Sequence, residues 1–240
     1  MIRVYPFIFI LLWSSAFITT KPIVDNSDPF SALAFRFFFV AIGFFLFCLY
    51  SKSSIIIKKT NLIESIFSGI LFHGLYLGGV FFSISIGMPA GIAALIVTLQ
   101  PVLTNILSGP ILNEKITIKQ WIGAFLGFVG ASLVLGFDLG TDIPTLGLIA
   151  TVIALIAITS STIWQKKLSN NLPLSVSNFY QAIGGCLFHT VLVIFFAEPF
   201  INFSSTFIIA MCHQIFLVSF GAFTILMFLI KKNSASKTVS

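Results

Sequence analysis

Eight apolar stretches follow one another along the chain, divided by short polar gaps. They run from Tyr5 to Val24, Phe30 to Tyr50, Leu62 to Gly87, Ala90 to Leu112, Lys119 to Gly136, Thr145 to Trp164, Pro173 to Ala197 and Thr206 to Ile230. Each is close to the ~20 residues a helix needs to cross a hydrocarbon core. Lipid offers unpaired backbone groups no partner, so continuous runs of this length predict helices. A membrane barrel would instead need short alternating strands. The pattern predicts an all-α polytopic membrane protein.

The polar gaps carry the orientation. Arg3, then Lys52, Lys58 and Lys59, then Lys115 and Lys119, then Lys166 and Lys167, then Lys231, Lys232 and Lys237 share one side, which leaves only Lys21 opposite and Arg36 inside a span. Asp25, Asp28, Asp138, Asp142 and Glu198 fall on the lysine-poor side. The expectation is an inner (plasma) membrane protein, multi-pass, with a cytoplasmic N-terminus. The net charge of +6 therefore reads as a topology signal spread over loops, and no nucleic-acid partner is expected. Cys48, Cys186 and Cys212 lie within apolar spans without metal-ligand spacing, so no metal or cofactor is expected. The first span is followed by Thr19, Thr20 and Lys21, not by a small-residue cleavage site, and is expected to stay attached.

The chain also resembles itself. Trp13-Ser14-Ser15-Ala16, with Lys21 after it, recurs as Thr159-Ser160-Ser161-Thr162, with Lys167 after it; Pro29-Phe30-Ser31 recurs as Pro173-Leu174-Ser175. The offset is about 145 residues and crosses five spans, so the second copy enters the membrane from the opposite face, as in inverted-repeat transporters. The first repeat covers residues 5–136 and the second, incomplete, residues 145–240. Carrying the repeat forward leaves the second copy roughly 40 residues short. The expectation is a C-terminally truncated member of a ten-span design, with eight of its helices present.

Trp13-Ser14-Ser15-Ala16-Phe17, Ala34-Phe35-Arg36-Phe37, Gly91-Ile92-Ala93-Ala94-Leu95, Leu99-Gln100-Pro101 and Asn113-Glu114-Lys115-Ile116 follow in this order, with Gly123 and Gly130 after them. In that order and spacing the chain resembles the drug/metabolite transporter superfamily in its EamA-like branch. The resemblance implies ten helices, cytoplasmic termini and export or exchange of small metabolites by alternating access.

Candidate cavity residues follow from polarity inside spans. Arg36 would cost about 2.5 to 3.5 kcal/mol at a helix centre, so it either snorkels outward to Asp25 or Asp28 or anchors an anionic group in a water-filled cavity. The fourth span carries Thr98, Gln100 and Asn105 around Pro101, which removes a backbone donor and predicts a kink. These side chains either bond between helices or, as the resemblance suggests, line the cavity. His73 and Tyr76 share one side of the third span, as scaffolding or as a proton relay, with His189 and His213 as further imidazoles. Ser14 and Ser15, with Ser160 and Ser161, sit at equivalent depths between Trp13 and Trp164 and serve packing or substrate contact. Glu114 reads as a loop or cap charge with a gating alternative. Gly123, Gly127 and Gly130 form a helix-packing surface.

Two other function classes remain. An intramembrane enzyme would need a nucleophile with its base, paired acids or a metal cluster, yet no HExxH, GxSxG or paired-Asp motif occurs, so no enzyme is expected. No GxxxxGK[ST] loop occurs either, which leaves gradients as the energy source. The leading expectation is a secondary transporter for small amphipathic metabolites such as amino acids or their derivatives. The alternative is a non-transporting scaffold or lipid translocator.

Overall fold

The computed structural model describes residues 4–113, 115–135, 143–168 and 172–232. Every apolar stretch is a helix there: α1 (Tyr5–Val24), α2 (Pro29–Tyr50), α3 (Lys59–Ser85), α4 (Ala90–Leu112), α5 (Ile118–Leu135), α6 (Thr145–Leu168), α7 (Leu174–Phe196) and α8 (Ser205–Lys232). All but α5 are at once long and apolar enough to cross a membrane among the described residues. Arg3, Glu114, Asp138, Asp142 and Lys237, which carry topology or gating expectations, lie outside the described residues.

Local chemistry sets the helix ends. Pro29 opens α2, where its missing N–H is one of the free donors of a first turn, and the Asp28 carboxylate accepts from the Ser31 N–H at 2.6 Å as the cap. Ser204 caps α8 in the same way, accepting from Phe207 N–H at 3.2 Å. Asn113 ends α4 in the left-handed region, at φ 55°. α4 itself divides into Ala90–Val97 and Gln100–Leu112, with Pro101 in the first turn of the second piece.

Two helices widen where hydrophobic periodicity gives no warning. Ile70–Tyr76 of α3 and His213–Ala222 of α8 are π-helical, with the i→i+5 pattern that moves a side-chain face around the axis. Both widened segments lie in the middle of their spans.

The helices pair in a matched way. α2 lies along α7; α1 packs on α8; α6 packs on α3. Backbones meet between α3 and α7, where a Cβ on Gly69 would lie 2.2 Å from the Gln181 carbonyl oxygen and one on Gly184 would lie 2.4 Å from that of Ile66. No side chain fits either place. Phe37, Phe72, Phe81, Ile23, Leu33 and Phe207 are fully buried between the helices.

Loops tie the bundle at both ends. At one end Asn202 N–H donates to Asn26 O at 2.8 Å, Asp28 N–H to Phe200 O at 3.1 Å and the Ser204 hydroxyl to Asn26 Oδ1 at 2.9 Å. At the other, the Tyr180 hydroxyl donates to Ile55 O at 2.6 Å and Lys166 Nζ to Ile230 O at 2.9 Å. Phe7, Leu11 and Ile18 of α1 and Phe195 and Phe196 of α7 stay bare on the outside. In water such surface would drive association, whereas acyl chains satisfy it.

Candidate functional site

α1, α2, α3 and α8 enclose a narrow cavity of about 30 Å³. Its walls include Trp13, Phe17 and Thr20 from α1, Arg36 from α2, Phe72, His73 and Tyr76 from α3, and Gln214, Ser219 and Phe223 from α8. The space holds about two water molecules and is too small for a larger solute as it stands.

Arg36 is the charge at this site. It is 2 % exposed, and its Nε and Nη2 both donate to the Ser219 hydroxyl, at 3.0 and 2.9 Å. Its Nη1 is buried without a hydrogen-bond partner. The outward ion pair with Asp25 or Asp28 does not form: Asp25 pairs with Lys21, and Asp28 is spent on its helix cap. Arg36 turns inward to Ser219, which lies on the widened segment of α8.

The Arg36 guanidinium carbon lies 5.3 Å from the centre of the Phe37 ring, and further aromatic rings line the cavity. Trp13 stacks with Tyr76 at 6.4 Å between centroids and meets Phe72 edge-on at 5.8 Å. His73 packs on Phe37 at 4.5 Å and on Phe223 at 4.6 Å, and its Nδ1 is buried without a partner. Gln214 donates through Nε2 to Ala16 O and Thr19 Oγ1, both at 2.9 Å, while its Oε1 is buried and unpaired. Three orphaned polar atoms, on Arg36, His73 and Gln214, thus belong to residues of one wall. Buried polar groups normally find partners. Other unpaired buried atoms, such as Ser65 Oγ, Gln165 Oε1 and both side-chain atoms of Asn178, lie between helices away from this cavity, so what sets this wall apart is that its unpaired donor belongs to a guanidinium.

The remaining candidates go elsewhere. Gln100 Nε2 donates to Thr162 Oγ1 at 2.9 Å, Asn105 Nδ2 to Gln120 O at 3.3 Å, and Thr98 Oγ1 to its own helix at Leu95 O, so α4 uses its polar residues between and within helices. Ser15 bonds Leu12 O and the His213 ring at 3.0 Å, whereas Ser14 faces outward. Ser161 joins a buried network of Ser68, Gln165, Gln181 and Ser177, with Ser160 half-buried beside it. Trp164 lies edge-on to Phe67 at 5.2 Å, remote from Trp13. A Cβ on Gly127 or Gly130 would meet no described atom within 4 Å, so these glycines pack against nothing inside the described bundle.

Of the sequence candidates, the cavity unites Trp13, Arg36, His73 and Tyr76. Sequence reasoning passed over Gln214 and Ser219. The available signal was a Gln and a Ser five residues apart in an apolar span, which share a face only on a π-helical turn. A second concavity of about 240 Å³ opens between α2 and α8, lined by Phe35, Phe39, Phe203, Phe207, Phe216 and other apolar residues. It has no charged side chain to orient a solute and suits an acyl chain.

Residues 4–136 match the EamA-like transporter family. Similar proteins include the uncharacterized transporter YvbV of Bacillus subtilis, 26 % identical over 172 residues, covering 67 % of this chain and 55 % of that protein. A probable amino-acid metabolite efflux pump of Salmonella typhimurium is 24 % identical over 165 residues, covering 68 % and 53 %. The chain spans about half the length of these relatives. One crystal structure aligns with 99 % of this chain and 82 % of its own, at TM-score 0.78 and 18 % identity, and so shares the fold.

Proposed function

The chain belongs to the EamA-like transporter family as a multi-pass membrane protein, and from that premise we propose that it carries small amphipathic metabolites, such as amino acids or their derivatives, by alternating access. One observation carries the reading: a cavity at mid-span, walled by aromatic rings and holding a buried guanidinium with one nitrogen unpaired. A lipid-facing or purely structural Arg would be snorkelled or paired. The carrier resides in the inner membrane with its N-terminus in the cytoplasm, which the lysine-rich alternate loops support.

The moving parts are the two copies of the inverted repeat. The packing of α1 on α8 is matched by that of α6 on α3, with α2 and α7 side by side between them. The repeat offset of about 145 residues also carries the widened segment of α3 inside that of α8. Rocking one copy against the other would open the cavity to alternate faces while the Asn26–Ser204 and Tyr180–Ile55 ties, each between the two copies, break in turn. Counterflow of labelled amino acids and N-acyl amino acids in proteoliposomes tests the reading. Exchange that is saturable and falls on Trp13→Ala or Tyr76→Ala supports it. A chain that moves none of these solutes, or only fluorescent lipids, overturns it.

A further inference from the structure

We propose that the cavity selects organic monoanions, a carboxylate beside an uncharged hydrogen-bond donor on an apolar body, and rejects the free ammonium group. The inference rests on the transporter reading above for the location of the site, and adds the charge of its ligand.

The charge balance of the wall is the starting point. Arg36 is its permanent charge, and none of the described lining residues is an acid. The two acids nearest in sequence are committed elsewhere, Asp25 to Lys21 and Asp28 to the start of α2. A buried charge without a counterion is costly, and the Ser219 hydroxyl satisfies only part of the guanidinium. A ligand carboxylate that reaches Nη1 would supply both the missing bond and the missing charge, the combination that makes guanidinium–carboxylate pairs strong.

The second orphan sets what sits beside the carboxylate. Gln214 Oε1 is an acceptor, and Gln214 precedes Ser219 by five residues, one turn of the π-helix that carries both. An amide N–H or a hydroxyl satisfies it without adding charge. An ammonium would instead be buried against neutral groups alone, Gln214 Oε1 and the His73 ring, in the field of the guanidinium and with no carboxylate among the described wall residues to balance it. Trp13, Phe72 and Tyr76 then cover an apolar body. N-acylated amino acids and 2-hydroxy acids meet all three conditions, whereas free amino acids meet two.

The test is a charge series on the purified full chain, read by quenching of intrinsic tryptophan fluorescence, to which Trp13 in the wall contributes. The probes are N-acetylphenylalanine, phenylalanine and phenylalaninamide, which share a ring and differ in net charge. N-acetylphenylalanine is expected to bind at least about tenfold more tightly than phenylalanine, and phenylalaninamide more weakly still. Arg36→Gln should abolish that order and Arg36→Lys should keep it at lower affinity. Equal binding of the three probes by the unmutated chain, or tightest binding of the amide, overturns the proposal, and that arm needs no variant to fold. An order that persists in a folded Arg36→Gln protein overturns it as well. Binding order retained without counterflow upholds the anion site and removes the transport reading; counterflow retained without binding order does the reverse.

Discussion

Two buried polar regions of this bundle solve the same problem in opposite ways. Around Gln181 on α7 every partner is local: Ser68 Oγ and Gln165 Nε2 donate to its Oε1 at 3.3 and 3.0 Å, and its own amide donates to Ser177 Oγ at 3.0 Å. Glycine contacts at Gly69 and Gly184 leave no room for anything else. Around Arg36 on α2 a cavity of about 30 Å³ remains, rings line it, and a guanidinium nitrogen is unpaired. The offset of 144 residues that aligns Pro29 with Pro173 carries Arg36 onto Tyr180, next to Gln181, so the two regions fall in matching stretches of the proposed repeat. The Gln181 cluster joins neutral side chains of both copies and leaves Gln165 Oε1 over, whereas the Arg36 cluster leaves part of a charged group over beside a cavity. The difference is between a neutral seam and a buried charge, and the proposed function rests on the second.

The closed seam should yield the largest losses of stability. Gly184→Ala forces a methyl against the Ile66 carbonyl, and the expected cost is about 2 kcal/mol or more, read as a fall in melting temperature in detergent. Ala16→Val adds bulk at the wall of the cavity instead and should lose clearly less; equal losses would erase the contrast between the two regions. Next comes Gln181→Leu, which takes one of two partners from both the Ser68 hydroxyl and the Gln165 amide and leaves each with Ser161 Oγ, at about 1 kcal/mol. A neutral outcome there would mean that the network is slack and the seam can open without it.

The open site should respond with the opposite sign. Arg36→Met replaces an incompletely paired buried charge by an apolar side chain of similar length, and a stability gain of about 1 kcal/mol is expected together with loss of solute binding. Loss of both stability and binding would instead make Arg36 a structural residue whose Ser219 bond holds α2 to α8.

The comparison also shows where the sequence is legible. α1 from Tyr5 to Val24 and α4 from Ala90 to Leu112 coincide with the apolar stretches, because hydrocarbon solvent imposes one length scale on every helix. α6 continues past Trp164 to Leu168, since Gln165 is polar yet fully buried in the seam, and a hydropathy pattern takes such a residue for a boundary. The cavity was visible only in part. Arg36, His73, Tyr76 and Trp13 are marked by unusual chemistry inside an apolar run, but the partner of Arg36, Ser219, sits on the widened segment at His213–Ala222, and no residue pattern announces that geometry. The α4 residues Thr98, Gln100 and Asn105 look the same in sequence as cavity polar groups do. Only their partners, an α6 hydroxyl for Gln100 and an α5 carbonyl for Asn105, separate interhelical bonds from lining.

That last distinction gives the smallest effect and the finest test of where the site lies. Gln100→Ala removes one hydrogen bond to Thr162 and touches none of the cavity wall. Such bonds in membrane bundles contribute about 0.6 kcal/mol on average, because the separated helices find other partners. The expected result is a barely shifted melting temperature and an unchanged order of binding for the three charge-series probes. A Gln100→Ala protein that melts as the unmutated chain does but loses the preference for N-acetylphenylalanine would bring α4 into the binding site. It would also mean that α6, which α4 bonds, is displaced during the cycle far enough for its Thr162 contact to be exchanged for a solute.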